Sequence, residues 1–366
     1  MLQRYFKQGA SLLLLLCLLL TGCQTTTPPT AQTTSNDVTT AAPLPNTTQE
    51  DDPMPTPNSL MWEYSTDANG VVVRDLHLSS LKGGDPLTIL QLSDIHFNFV
   101  NDQDRTENHE LVIGSYENLK FLRDGKQLTN LENCLKYAAD ADQLMITGDT
   151  LSYLSYGNIQ AMYTYVWDKY PEAIITMGNH DPLRSWNGAV DESATLEERL
   201  KRLEEHWKHD IYYSSKVLDE RVMLIQMDNG TTGEFWEHQI EPFQKDLALA
   251  REKGYTVLLF YHIPLSTGNV ADFKKPALMV GDSNTASWNF YTKGIGNLST
   301  GASKTVYDLI VNNADIIGGT FCGHKHSDFY TEIKAKTADG ADAIIPQYTL
   351  MGLFYGKGHV LKITID

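Results

Sequence analysis

The sequence has 366 residues, of which 42% are hydrophobic and 20% are charged, a composition that is ordinary for a globular protein. Its formal net charge is −17 and its sequence isoelectric point is near 5.0. Such an acidic chain lacks the basic surface that nucleic-acid backbones require, so nucleic acid is not an expected partner. Any anionic substrate must therefore be attracted by positive charge held locally, which metal ions would supply.

The first residues have the features of a secretory signal. Arg4 and Lys7 precede a leucine-rich run, Ser11–Leu20, that is too short to span a bilayer comfortably. The following Leu-Thr-Gly-Cys resembles the bacterial lipobox, which implies that residues 1–22 are a lipoprotein signal peptide and that Cys23 is lipidated. We therefore expect a bacterial cell-envelope protein outside the cytoplasm, anchored by lipid to a membrane. An ordinary secretory signal with an incidental cysteine is the alternative.

Residues 23–59 are predicted to be a disordered tether, because Thr and Pro dominate and almost nothing can be buried. The folded domain is predicted over residues 60–366. Its cysteines, Cys134 and Cys322, are expected to be buried thiols and not a disulfide framework.

The folded part alternates predicted strands and helices. Asn-Gly between Trp62–Tyr64 and Val71–Leu78 signals a hairpin. Short apolar runs that end at Gly or polar residues predict five buried strands. These strands are Leu87–Leu92, Leu144–Thr147, Ala173–Met177, Val257–Phe260 and Ile316–Phe321. Helical spacing predicts helices at Leu128–Ala139, Ile159–Lys169, Thr195–Lys208 and Pro242–Lys253.

This order predicts an α/β fold with a mostly parallel sheet. Two later strand pairs are expected to be antiparallel and to form a second layer. They are Ile211–Ser215 with Arg221–Met227, and Asp328–Lys334 with Gly358–Ile365. Two polar stretches, Asn98–Gly114 and Ser266–Ser303, are expected to form a substrate rim, with disorder as the alternative. Trp288 and Tyr291 in the second stretch would pin it to the body or stack on a leaving group.

Metal-type side chains follow directly on each of the five strands. They lie in Asp94-Ile95-His96, Gly148-Asp149, Gly178-Asn179-His180-Asp181, Tyr261-His262 and Gly323-His324-Lys325-His326. Ligands bind beyond the carboxyl ends of the strands of an open α/β sheet, so the five ends should meet at one crevice. Residues two apart in a strand point to the same side, so Asp94 and His96 should both face it. The sequence therefore predicts a two-metal site and a hydrolase.

Carboxylates mixed with imidazoles suit first-row transition metals better than calcium or magnesium. The expected cofactors are thus two divalent or mixed-valence ions, Mn, Fe or Zn. Two ions about 3.5–4 Å apart need one shared carboxylate and stabilise both oxygens of an in-line displacement. A hydroxide formed from a water that bridges them would supply the nucleophile.

The five segments, in this order over roughly Leu87–Phe329, resemble the calcineurin-like metallophosphoesterase superfamily. Flanking sequences such as Leu-Ser-Asp-Ile-His-Phe look most like phosphatases related to purple acid phosphatases. The resemblance implies a four-layer β-sandwich of mixed sheets flanked by helices, and hydrolysis of small phosphate esters. It also implies that Asp94, His96, Asp149 and His326 hold one metal, that Asp149 is shared, and that Asn179, His262 and His324 complete the second.

The resemblance gives His180 a different role, that of a non-ligand histidine that protonates the leaving group or stabilises the transferring phosphoryl group. Asp181 would tune His180 or form a turn with Pro182. Lys325, between two ligands, is expected to point to solvent. Position 152 is Ser152, where purple acid phosphatases place a ligand tyrosine and protein serine/threonine phosphatases an aspartate, so neither branch is expected.

Two other functions stay open. A non-catalytic surface lipoprotein could keep the phosphoesterase fold as a binding module, although all eight site residues are present. A lipoprotein that captures metal would coordinate it without turnover. The other six histidines are expected to be ordinary surface or core residues: His77, His109, His206, His209, His238 and His359.

Overall fold

The computed structural model describes residues 63–107, 109–186, 193–265, 301–337, 339–354 and 356–366. The predicted signal peptide, the tether and Cys23 lie outside these residues, as does most of the stretch Ser266–Ser303 with Trp288 and Tyr291. Within the described ranges, no helix combines the length and the apolar character needed to cross a membrane.

Two six-stranded mixed sheets form the centre of the fold. The first contains, in order across the sheet, β1 (Glu63–Thr66), β2 (Val72–Leu78), β12 (His359–Ile365), β3 (Leu87–Leu92), β4 (Gln143–Ile146) and β5 (Ile174–Ile175). The second contains β10 (Phe329–Lys336), β11 (Asp342–Thr349), β9 (Ile317–Cys322), β8 (Thr256–Phe260), β7 (Val222–Met227) and β6 (Tyr213–Leu218).

Each sheet has a core of parallel strands. In the first sheet β3, β4 and β5 are parallel neighbours, and in the second β7, β8, β9 and β11 are. Every residue of β4, β7 and β8 is buried, because both faces of these strands are covered. The carboxyl ends of these parallel strands therefore lie together at one end of each sheet.

Eight α-helices complete the described part of the chain. Their bounds are α1 (Asp102–Glu107), α2 (Glu110–Asn118), α3 (Lys120–Asp124), α4 (Gln127–Leu135), α5 (Tyr156–Met162), α6 (Leu196–His206), α7 (Ile240–Lys253) and α8 (Gly301–Val311). A 3-10 turn, Lys136–Asp140, follows α4, and a π turn, Tyr163–Trp167, follows α5. A second 3-10 turn, Glu237–Gln239, leads into α7.

Three apolar clusters give the fold its four layers. One packs α4, α5 and α6 against the outer face of the first sheet, and another packs α7 and α8 against the second sheet. The third lies between the sheets, where Ile89 and Met145 of the first share a cluster with Leu258 of the second. The predicted four-layer sandwich of mixed sheets flanked by helices is confirmed.

Most predicted elements are present at the expected places. The five motif strands correspond to β3, β4, β5, β8 and β9, and β1 and β2 form the predicted antiparallel hairpin. Thr195 caps α6 in a reciprocal capping box with Glu198, and α7 ends just before Gly254, as the sequence indicated. Cys134 and Cys322 are buried free thiols.

Two expectations about local structure were wrong. The Asp328–Lys334 strand pairs with β11 and not with Gly358–Ile365. The strand at Gly358–Ile365, β12, lies in the first sheet between β2 and β3, and seven of its residues pair in parallel with β2. The polar stretch Asn98–Gly114, which was predicted to form a substrate rim, contains α1 and the start of α2.

Candidate metal centre

The candidate site lies where the two sheets meet, and not at a crevice within one sheet. Residues after β3, β4 and β5 supply Asp94, His96, Asp149 and Asn179. Residues after β8 and β9 supply His262, His324 and His326. The five strand ends converge as predicted, with two sheets contributing.

Most of these residues adopt a backbone conformation that is uncommon for non-glycine residues. The angle φ is positive at five of them: Asp94 (50°), His96 (56°), Asp149 (48°), His324 (69°) and His326 (49°). Elsewhere among the described residues, the only non-glycine positions with positive φ are Asp219 and Glu220. Asp94 and His96 lie beyond the last residue of β3, so the alternation of a strand does not bring their side chains together. Clustered left-handed residues of this kind are typical of functional sites.

Four residues form a first group of donor atoms: Asp94, His96, Asp149 and His326. His326 Nε2 lies 3.1 Å from Asp94 Oδ1, and His96 Nε2 lies 3.3 Å from His326 Nε2. His96 Nε2 is also 3.8 Å from Asp149 Oδ2. The carboxylate and imidazole donor atoms of the first group thus lie close enough together to surround one ion.

A second group contains Asp149 again, with His262 and His324. His262 Nε2 lies 3.2 Å from Asp149 Oδ2 and 3.2 Å from His324 Nδ1. The Asn179 amide oxygen is also 3.2 Å from His262 Nε2. Asp149 is therefore the residue that the two groups share.

Burial and neighbouring charge set the protonation of these groups. Burial opposes a charge on His262, but Asp149 outweighs it and raises the pKa of His262 to about 10. Burial lowers the pKa of His96 and that of His324 well below the usual value. At Asp149 burial opposes ionisation, yet His262 and His180 hold the pKa of the carboxyl well below its usual range. The Asp149 carboxylate thus lies beside one imidazole whose pKa is raised, that of His262, and others whose pKa is lowered.

This donor set fits a metal ion better than it fits protons. Three potential acceptor atoms surround His262 Nε2 at 3.2 Å, and one N–H cannot satisfy all of them. A cation would satisfy every lone pair at once, and it would displace the proton from His262. Mixed oxygen and imidazole nitrogen donors favour a first-row transition metal.

Small residues and hydroxyl groups hold the carboxylates in place. The Ser93 hydroxyl donates to Asp94 Oδ2, and the Thr147 hydroxyl donates to Ser93 Oγ at 2.9 Å. A Cβ atom at Gly323 would collide with the Ser93 hydroxyl and the Asp94 carboxylate. A Cβ at Gly178 would collide in the same way with Asp149. These contacts explain why glycine precedes the candidate ligands in two motifs.

His180 lies beside the donor groups. Its amide donates to Asp149 Oδ1 at 2.8 Å, and its Nδ1 lies 3.3 Å from the Ser152 carbonyl oxygen. Burial lowers the pKa of His180, against the effect of Asp149. Asp181 accepts from the amides of Gly178 (2.6 Å) and Leu151 (2.8 Å), so it fastens these two loops together. At position 152, the group that faces His180 is the backbone carbonyl of Ser152.

The sequence prediction for Lys325 was wrong. Its residue exposure is 6%, so it does not point to solvent. Of the six histidines expected to be surface or core residues, His359 is buried, and its Nδ1 lies 2.9 Å from Asp328 Oδ2, to which Arg74 also donates.

Other residues at the centre were not identified from the sequence. Trp186 and Phe354 pack on His96, and no motif marked them. Asn229, after β7, makes two hydrogen bonds to the backbone of Ile263, next to His262. Asp228-Asn229-Gly230 directly follows an apolar run, so the signal used for the other five strand ends was also present here.

The fold and the donor cluster define an α/β sandwich with a candidate two-metal centre. The chain belongs to the calcineurin-like phosphoesterase family, whose sequence model matches residues 87–328, and it is accordingly a phosphoesterase. No curated protein sequence is similar enough to count as a match.

The chain has detectable similarity to solved structures, and three of them illustrate its extent. A dimetal phosphatase from Danio rerio is 12% identical with a TM-score of 0.41, and the match covers 74% of this chain and 89% of that one. A purple acid phosphatase from yellow lupin (Lupinus luteus) is 11% identical with a TM-score of 0.39, over 80% and 46% of the two chains. A 5′-nucleotidase-like protein from Staphylococcus aureus is 10% identical with a TM-score of 0.32, over 75% and 55%. The matched part of this chain spans about half the length of the last two.

Proposed function

We propose that this chain hydrolyses small phosphate esters at a two-metal centre, and that Cys23 anchors it by lipid to a membrane outside the cytoplasm. The observation that carries the catalytic proposal is the position of Asp149, whose carboxylate belongs to both donor groups. A shared carboxylate is what two neighbouring ions require. The proposed ligands are Asp94, His96, Asp149 and His326 on one side, and Asp149, Asn179, His262 and His324 on the other.

Manganese, iron or zinc ions bound there would supply positive charge for the phosphoryl oxygens and lower the pKa of a bound water. The chain's own residues orient the reaction. Asp149 fixes the spacing of the two halves of the site, and its Oδ1 accepts from the amide of His180, so both are held in one arrangement. An acidic chain of net charge −17 would repel a phosphate ester elsewhere on its surface.

We further propose that His180 acts on the leaving group or on the phosphoryl oxygens. With Nδ1 turned toward the Ser152 carbonyl, Nδ1–H is the donor there. Nε2 is then the ring atom that would hold or transfer a proton. General acid assistance contributes typically about 10²–10⁴-fold.

The ligand assignment is tested by metal analysis of purified variants. Asp149→Ala should lose both ions and nearly all phosphoesterase activity, whereas His96→Ala should lose one ion preferentially. Asp104→Ala is a matched control, because Asp104 is also buried but belongs to neither donor group. Retention of two ions by Asp149→Ala would refute the shared-ligand role.

The role of His180 is tested with a series of substrates that differ in leaving group. If His180 donates a proton, His180→Ala should affect nitrophenyl phosphate least and an alkyl phosphate most, with both ions still bound. An equal loss across the series would indicate contact with the phosphoryl oxygens. Loss of an ion would mean that the ligand set is misassigned.

Wild-type protein that binds two ions but hydrolyses no mono- or diester would instead be a binding lipoprotein. The anchor is tested separately. Cys23→Ser should release the domain from membranes or leave an unprocessed precursor. If the variant fractionates and migrates like the wild type, the lipidation proposal is wrong.

A further inference from the structure

The imidazole of His96 is held in an unusual way for a candidate ligand. It is fully buried, and its Nε2 faces the donor atoms of His326 and Asp149. Its other nitrogen, Nδ1, is also buried and has no hydrogen-bond partner within the described ranges. A metal-binding histidine ordinarily donates this outer N–H to a carbonyl or carboxylate, which fixes the orientation of the ring.

His262 follows the ordinary pattern. Its Nε2 faces the donors, and its Nδ1 lies 2.7 Å from the carbonyl oxygen of Thr147. His96 and His262 are both fully buried, so burial does not distinguish them. The two histidines differ in the groups that fix the orientation of each ring.

Two aromatic side chains pack on the His96 ring, and we call Trp186 and Phe354 the aromatic collar. The Phe354 ring centroid is 4.6 Å from that of His96 with an interplanar angle of 85°, and the values for Trp186 are 4.9 Å and 72°. Edge-to-face pairs of this kind have a preferred geometry worth about 0.5–1.5 kcal/mol beyond the area they bury. The collar can therefore fix the His96 ring without a hydrogen bond.

The collar is itself fixed from behind. Trp186 and Phe354 belong to an apolar cluster with Leu119 and Leu122 of the α2–α3 region and with Tyr153. The Trp186 amide donates to the Ser115 hydroxyl of α2 at 3.0 Å. The helical segment that contains α2 and α3 thus supports the collar.

The collar also packs on other rings of the site. Phe354 packs on His326, at 4.8 Å and 85°, and Trp186 packs on His180 at 4.6 Å. Among the described residues, His262 has its ring contact with His324. The collar rings thus contact two candidate ligands of the first donor group, His96 and His326, and the proposed proton carrier.

We propose that Trp186 and Phe354 are positioning residues for the metal ion bound by His96 and His326, and that they do for His96 what the Thr147 carbonyl does for His262. This inference rests on the proposed two-metal function. Outer partners of ligand histidines typically change metal affinity by about 10–100-fold. Loss of a collar ring should accordingly lower the affinity for one ion by roughly tenfold and leave the affinity for the other unchanged.

The test is a Zn²⁺ titration of chelator-stripped full-length protein by calorimetry, with bound metal counted by mass spectrometry. Phe354→Leu and Trp186→Leu should each lower the affinity for one of the two Zn²⁺ ions. Trp186→Phe, which keeps a ring, should retain the wild-type affinity for that ion. Phe99→Leu is the matched control, because Phe99 packs on Phe97 and Tyr165 and makes no ring contact with His96.

A double-mutant cycle separates positioning from general damage. In a His96→Ala background Trp186→Leu should have no further effect on Zn²⁺ affinity, since His96 is the candidate ligand whose ring Trp186 contacts. Equal weakening of both ions, an unchanged affinity, or a full effect in the His96→Ala background would overturn the inference. Wild-type protein that binds fewer than two Zn²⁺ would refute the proposed function instead. If Phe354→Leu fails to fold, the comparison of Trp186→Leu with Trp186→Phe, at a more exposed residue, tests the inference.

Discussion

A buried ion cluster behind the site gives the sharpest stability prediction. Arg74, on β2, is fully buried, and its Nε and Nη2 donate to Oδ2 of Asp328 at 3.1 and 2.8 Å. His359 Nδ1 lies 2.9 Å from the same oxygen, and the Met351 amide donates to Oδ1 at 2.7 Å. Burial opposes ionisation of Asp328, yet His359 and Arg74 keep the pKa of its carboxyl well below the usual value.

Arg74→Met would remove two of these donors and leave the carboxylate buried. Removing one partner of a buried pair costs about 3–5 kcal/mol in the free energy of unfolding. We expect the lower end, about 3 kcal/mol, because His359 and the Met351 amide remain. Arg251→Met is the control, because the Arg251–Asp315 pair is partly exposed, and such pairs contribute about 0–1 kcal/mol.

The measurement is urea denaturation followed by tryptophan fluorescence, with metal held at one saturating concentration. Arg74→Met should lower the free energy of unfolding by several times the effect of Arg251→Met. The double variant Arg74→Met/Asp328→Asn should lose less than the sum of its single variants, since they remove the same interaction. A cost for Arg74→Met no larger than that for Arg251→Met, or strict additivity, would refute this reasoning.

Three further outcomes are expected. Gly323→Ala should weaken metal binding by roughly tenfold or more in calorimetry, because its Cβ would displace Ser93 and Asp94, which orient the site. Thr195→Ala should lower the free energy of unfolding by about 0.5–2 kcal/mol in urea, while Thr195→Ser should not, since only the former removes the cap of α6. Chelation should lower the apparent melting temperature, with about 2.7 kcal/mol lost for each bound ion if metal was present at a hundredfold excess over its Kd, and Asp149→Ala should show no such shift.

The positions of the strands and of their ends could be predicted from the sequence for a physical reason. A run such as Val257–Phe260 is apolar throughout because it is covered on both faces, so it can be recognised without knowledge of its partner strands. The chemistry-bearing residues that follow them meet because the strands are parallel. Convergence of the candidate ligands could therefore be predicted from order alone.

Long-range pairing could not be predicted in this way. The placement of β12 between β2 and β3 depends on which apolar faces match across the whole sheet, and Gly358–Ile365 carries no local sign of it. The left-handed backbone at Asp94 and His96 was equally hidden, since aspartate and histidine tolerate that conformation without requiring it. The prediction that both face the site was reached from strand alternation, which is not the geometry that the structure uses.

The position of the site between the two sheets has a consequence for the whole molecule. His96 and His326 come from different sheets and are 230 residues apart in sequence. Within the described chain the two cysteines are unpaired, so ions at this point would be the cross-links of the sandwich, and exchangeable ones. Metal starvation would then act like reduction of a disulfide, loosening the edge that carries the strand ends while the apolar layer between the sheets stays packed. Faster amide hydrogen exchange confined to the ends of β3, β4, β8 and β9 would be its signature.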